Sequence, residues 1–270
     1  MAHNHTSLAK VTLAHTLLIA GAGLGAGFVN GIVGTGTLVS FPALLILRIG
    51  AFEANIVNTL SLVPGYIGNS IGYRRELSGQ KARILFFGAL TVGGSAGGTW
   101  AFLALPGSQF RMIVPFLILF SALLMASQKS IAKMVSLSRA KKSQLEAQRH
   151  ISELRNPILM LAMVLCGAYA GYFGAGVSVI LLATLGAFLG DGIQRLNALR
   201  SVLTLTGNLL AAVVFVSVSS IDWSIVAVMA PMCLIGGWMG SSVARKIPAE
   251  PLRWAIVIFA TVVGIILILD

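Results

Sequence analysis

The 270 residues are 57% hydrophobic and only 10% charged, where an ordinary soluble domain carries roughly a quarter charged residues. This excludes a soluble globular domain. The near-unbroken apolar runs also exclude a β-barrel, whose strands would alternate apolar and polar side chains. The net charge of +11 then orients the chain against anionic lipid and needs no nucleic-acid partner.

Residues 1–10 read as a polar tail and 11–33 as the first apolar run. That run shares a motif with the chain's interior, so it is read as a membrane segment and not as a cleaved signal peptide. Further runs cover 38–47, 54–73, 84–105 and 112–126. Residues 129–156 turn polar and basic, with Lys133, Arg139, Lys141, Lys142 and Arg149, and form the one long linker. Runs at 157–173, 177–189, 196–218, 223–243 and 254–269 follow. The reading is an all-α polytopic membrane protein of ten helical segments, with repeat 1 over 11–128 and repeat 2 over 157–270. Runs 38–47 and 177–189 fall short of the ~20 residues a spanning helix needs. Each is therefore either a half-length helix or the returning arm of a re-entrant hairpin.

The repeat is visible residue by residue. Gly31 to Leu38 reads GIVGTGTL, and Gly171 to Ser178 reads GYFGAGVS. Gly34 and Gly36 match Gly174 and Gly176 at an offset of 140, Asn58 matches Asn197 and Gly68-Asn69 matches Gly207-Asn208 at 139, and Pro106 and Arg111 match Pro248 and Arg253 at 142. With the linker cytoplasmic and direction alternating at each segment, every Lys and Arg except Lys10, Arg48 and Arg111 falls inside, as the positive-inside rule asks. An odd number of segments per half then inverts one half against the other and puts both termini outside. Inverted halves with broken helices are the plan of many secondary transporters, here expected in a bacterial inner membrane.

Glycine lets a helix break, and a broken helix leaves backbone N–H groups free. Inside a bilayer these are tolerated only against protein or a polar cavity. A helix starting at 35–37 aims its positive end at the first break, and one starting near Val177 does so from the other half. Gly34, Thr35, Gly36, Thr37, Gly174 and Gly176 thus become candidate ligands of a small anion, gathered without a buried cation. Tight helix packing is the competing role for the glycines. Leucine at Gly36 and Gly176 is expected to stop transport in a folded protein.

Asn58, Ser61, Asn69, Asn197, Ser201, Thr204 and Asn208 follow the breaks, the last four at helical spacing on one face. They line a cavity or bond between helices. Arg200 lies beside that stripe. It either offers a fork to an oxyanion or reaches outward to headgroups. All eight carboxylates fall at segment ends or in loops, so no buried proton relay or metal site is expected. No phosphate loop or nucleophile elbow occurs, so no cofactor and no catalytic residue are assigned, and the protein is not read as an enzyme. Cys166 and Cys233 stand alone in apolar runs and read as packing residues.

The glycine break near the N-terminus, its echo after a basic central loop, and the closing Pro106/Arg111 and Pro248/Arg253 pairs resemble the TauE/SafE sulfite exporter family, over about residues 16–268. Thr35 and Thr37 stand where members commonly carry further glycines. The resemblance implies passage of sulfite or an organosulfonate in either direction, with a small anion and lipid as partners and homo-oligomerisation left open. A carrier or channel for another small anion, such as a carboxylate, and a non-transporting membrane assembly factor are the alternatives.

Overall fold

The computed structural model describes residues 13–128, 130, 156–244 and 249–269. The tail 1–10 and nearly all of the linker 129–156 lie outside the described residues.

Ten α-helices occur among them. The first five are α1 (Leu13–Ile32), α2 (Thr37–Ile46), α3 (Ala51–Gly72), α4 (Lys81–Ala104) and α5 (Gly107–Ala126). After the linker come α6 (Pro157–Tyr172), α7 (Val177–Phe188), α8 (Ile193–Val218), α9 (Trp223–Val243) and α10 (Ala249–Leu269). Each predicted run became one helix. Several helices start about one turn early, because their first turns carry polar residues such as Glu53, Lys81 and Gln194 that an apolar count passes over. Local chemistry sets the starts. Asn156 accepts from Ile158 and Leu159 N–H ahead of Pro157 at the first helical position, a pairing of cap and proline that favours initiation.

Among the described residues six helices are long and apolar enough to cross a membrane: α1, α4, α5, α8, α9 and α10. α2 has 10 residues and rises about 15 Å, and α7 with 12 rises about 18 Å, against a hydrocarbon core of about 30 Å.

Glycines let the helices touch backbone to backbone. On α1, a Cβ at Gly27 would stand 2.2 Å from Cys233 O of α9, and on α4 a Cβ at Gly98 would stand 1.8 Å from Ala168 O of α6. Lipid chains give apolar helices no reason to associate, so such close packing holds them. The contacts also give direction. Gly23 lies at Met229 and Gly31 at Gly240, so α1 and α9 run in the same sense; Gly65 at Cys233 and Gly72 at Ser241 add α3 to that set. Gly94 at Val164 and Gly98 at Ala168 make α4 and α6 a second such pair. α3 runs against α8: Asn69 and Tyr73 at its end meet Arg200 and Ser201 near the start of α8. At the other end of α3, Asn55 reaches Tyr172 O, just ahead of Gly174, which lies against Asn208.

The packed pairs exchange between halves. α1 on α9 is echoed by α6 on α4, α3 on α9 by α8 on α4, and α2 on α10 by α7 on α5. One end of the seam is filled by aromatic rings from both halves. Phe52 stacks on Phe102 at 4.4 Å, and Phe102 meets Phe110 at 4.8 Å and Phe215 at 5.4 Å.

Candidate functional site

α1 stops because Gly34 takes φ +88°, a left-handed conformation that costs a residue with a Cβ about 1–2 kcal/mol. Ending a helix strands its last carbonyls, and here neighbouring helices meet them. Tyr73 OH donates to Gly31 O at 3.1 Å, and Arg200 Nη1 donates to Val33 O at 3.0 Å. Arg200 is 3% exposed, so it does not reach outward to headgroups. No described carboxylate pairs with it, and Val33 O is its one acceptor among the described residues. The negative end of α1 offsets part of its charge. Four of the five guanidinium N–H donors remain.

A small cavity of about 10 Å³ opens beside the guanidinium, room for about one water. α1 contributes Asn30, the break Gly34, and α3 Tyr66, Asn69 and Tyr73; the second half adds Ser178, Arg200 and Ser201. Asn30 Nδ2, Asn69 Oδ1 and Ser201 Oγ are buried there without a hydrogen-bond partner among the described residues. Each such atom costs about 1–3 kcal/mol unless something polar meets it. Ser178 is the second residue of α7, so the positive end of a second-half helix looks into the same space. Its Oγ lies 3.2 Å from Thr204 Oγ1, which donates to Arg200 O at 2.8 Å. Gly34 is needed here for space as well as conformation, because a Cβ would stand 2.2 Å from Arg200 Nη1 and 2.7 Å from Ser178 Cβ.

The second break is built differently. Gly174 and Gly176 take φ +76° and +77°, and the carbonyl between them is held. Tyr169 OH donates to Ala175 O at 2.8 Å, and Ser121 Oγ lies 2.8 Å from the same oxygen.

Four of the residues expected from sequence therefore line the cavity: Gly34, Asn69, Arg200 and Ser201. Thr204 supports it from behind, and Thr37 is buried beside Tyr66. The others lie elsewhere. Thr35 Oγ1 donates to Met125 Sδ at 3.2 Å, Asn58 accepts from Ser40, and Asn208 donates to Thr204 O at 2.9 Å. Ser61 is buried with its hydroxyl unpartnered, and Asn197 is half-buried. Gly36 has φ −55° and is a packing residue, since a Cβ would meet Ala26 O at 2.4 Å. Leucine there is expected to strain the packing of α2 on α1, so loss of transport in Gly36→Leu would report on folding as well as on the site. The expected cradle of backbone N–H groups is also reduced. Leu38 and Val39 N–H turn back to Thr35 and Gly36, and Val177 and Val179 N–H to Gly174 and Gly176. A buried cation stands at the first break instead: Arg200, which the sequence left as either a fork for an oxyanion or a side chain reaching to headgroups.

Asn30, Tyr66, Tyr73 and Ser178 were missed. Asn30 stands four residues before Gly34, and Tyr66, Asn69 and Tyr73 recur at three and four residues on α3. That spacing is the legible signal of a polar face.

The profile of the family described as Sulfite exporter TauE/SafE matches residues 19–267. The chain belongs to the TauE/SafE family. Relatives of this TauE/SafE protein are named as probable membrane transporters. One from Haemophilus influenzae is 25% identical over 238 residues, 88% of each chain. YfcA of Escherichia coli K12 is 26% identical over 249 residues, 91% of this chain and 86% of its own. ORF9 of Sinorhizobium is 24% identical over 246 residues, 91% and 89%. No solved structure matches. Membership makes this an integral membrane protein of a transporter family, and the break, Arg200 and its cavity all fall inside the matched region.

Proposed function

We propose that this protein is a secondary carrier of a small sulfur-containing anion, such as sulfite or an organosulfonate, and that Arg200 holds the cargo at the first helix break. One observation carries the reading: Arg200 is buried with no described carboxylate partner, among three polar atoms that also lack partners. An unpaired buried charge costs several kcal/mol, and an oxyanion supplies both the missing charge and acceptors for Arg200, Asn30 Nδ2 and Ser201 Oγ. Asn69 Oδ1, itself an acceptor, needs a donor that the anion does not bring. Asn30 Nδ2 and the hydroxyl of Ser201 are further donors.

Such an anion needs more room than about 10 Å³, so cargo enters when Arg200 and Ser178 of one half part from Gly34, Asn69 and Tyr73 of the other. The opposed course of α3 and α8 and the exchange of packed pairs support inverted halves, which make that motion a rocking of one half on the other. In this reading both termini lie outside a bacterial inner membrane.

Flux into proteoliposomes tests the assignment. Saturable uptake of radiolabelled sulfite or taurine is expected in the parent, with an apparent affinity at least about tenfold weaker in Arg200→Gln of equal thermal stability. Uptake of carboxylates alone transfers the site to another anion class. Absence of anion-dependent flux across the panel returns the protein to an assembly role.

A further inference from the structure

A second cavity, of about 690 Å³, opens where α2 ends, α5 begins and α10 ends. Ala51 at the start of α3 borders it, whereas Tyr73, just past the end of α3, borders the cavity beside Arg200. The 22 residues of α3 set the two about 33 Å apart along the helix. Arg48 and Arg111 both line this second space, and both are exposed. Neither has a carboxylate partner among the described residues. With both termini outside, they are two of the three basic residues that fall on the outer face, where the positive-inside rule disfavours them.

Packing explains neither arginine. Arg48 takes φ +61° and is the one described non-glycine residue in the left-handed region. Ile49 N–H closes onto Leu44 O at 3.2 Å, a helix ending at which glycine is usual and where a side chain costs about 1–2 kcal/mol. Arg111 is matched in the other half by Arg253, each five residues after a proline. Arg253 is buried, lies 3.6 Å from Glu250 and stands over the Trp254 ring, 5.4 Å from its centre. At the corresponding positions the first half has Ser108 and Met112, so Arg111 keeps the charge and loses both partners. The chain supplies an anion in one half and leaves its place open in the other.

The walls of the cavity define the kind of anion. Met112, Phe116 and Ile268 are exposed and apolar, and they line the same space as the two arginines. Its volume of about 690 Å³ falls in the range of roughly 300–1,000 Å³ that holds drug-sized molecules, so a free small oxyanion would leave most of it empty. Guanidinium forks suit a phosphate, and no carboxylate among the described lining residues is there to take an ammonium headgroup. We propose that Arg48 and Arg111 bind the phosphate of an anionic phospholipid whose acyl chain lies along Met112, Phe116 and Ile268. The lipid then ties the end of α2, the helix that starts at the first break, to α5 and α10. This assignment does not depend on which cargo Arg200 holds.

Native mass spectrometry of the full chain in neutral detergent tests it, with phosphatidylglycerol titrated against phosphatidylcholine of the same acyl chains. The parent is expected to hold phosphatidylglycerol at least about tenfold more tightly. Arg48→Gln and Arg111→Gln are each expected to weaken that binding roughly fivefold and to leave phosphatidylcholine binding unchanged. Ser108→Glu, which gives the first half the carboxylate that the second half carries at Glu250, is expected to weaken phosphatidylglycerol as Arg111→Gln does, in a chain that keeps both arginines. Equal binding of the two lipids by the parent overturns the proposal, and so does parental binding of phosphatidylglycerol by both glutamine variants. Should a glutamine variant not fold, Ser108→Glu decides alone, and unchanged phosphatidylglycerol binding in it overturns the site. Inorganic phosphate or sulfite at millimolar concentration is expected to leave the lipid in place; its displacement by either would assign the arginines to a free oxyanion and overturn the lipid.

Discussion

The two glycine breaks share a sequence pattern and divide the work. At the second, Gly174 and Gly176 both adopt left-handed backbone, and the intervening carbonyl of Ala175 is met by Tyr169 and Ser121. At the first, Gly34 alone is left-handed, and the stranded Val33 carbonyl is met by a buried cation from the other half. The second break is closed by neutral hydroxyls that use up their donors. The first is closed by a group with donors to spare and with unpartnered polar atoms around it. A repeated motif thus fixes where the backbone bends, while the residues that arrive from elsewhere decide whether the bend is met by hydroxyls with no donors left or by a buried cation with donors to spare.

The sharpest way to break this comparison is to add one methyl group to each break. Gly34→Ala drives a Cβ into Arg200 and Ser178 and is expected to abolish uptake. Gly176→Ala meets its nearest atoms at 3.4 Å, loses about 1–2 kcal/mol of stability from left-handed strain, and keeps uptake. Flux and thermal unfolding on both proteins check this, and equal losses would erase the distinction. Next in size is Arg200→Gln, which removes charge-assisted bonds worth about 1.5–3 kcal/mol and should lower the apparent affinity for the cargo by an order of magnitude or more. Substrate titration of the uptake rate reads it. Ser178→Ala removes the hydroxyl that holds Thr204 behind Arg200, worth about 0.5–1.5 kcal/mol; a severalfold rise in apparent KM at constant protein yield is expected. The smallest effect on transport belongs to Tyr169→Phe. It takes a hydroxyl from the second break and should cost about 1 kcal/mol of stability with KM unmoved. A KM shift in Tyr169→Phe as large as that in Ser178→Ala would give the second break a share of the site.

Much of the architecture was legible in the residues. Ten apolar runs became ten helices, and the repeated glycines at 34, 174 and 176 sit at positions that turn the chain left-handed. These features are local: hydrophobic length, caps and glycine's missing Cβ act within a turn or two of chain. The site was legible only in part. Asn69, Arg200 and Ser201 drew notice as polar groups in apolar runs, yet nothing in the α8 sequence says whether Arg200 turns inward or out to headgroups.

Composition, periodicity and the spacing of glycines alone determined that this chain is a helical membrane protein whose apolar run is broken at Gly34 and again at Gly174–Gly176. Those properties follow from the free energy of placing each segment in lipid, which neighbours alter little. Only the tertiary structure decided that Arg200 from the second half caps α1 of the first, that Asn30 and Ser178 join it, and that Thr35 and Asn58 turn away. Those choices depend on which helix faces which across the seam, and close contacts between backbones set that at a distance no local pattern encodes.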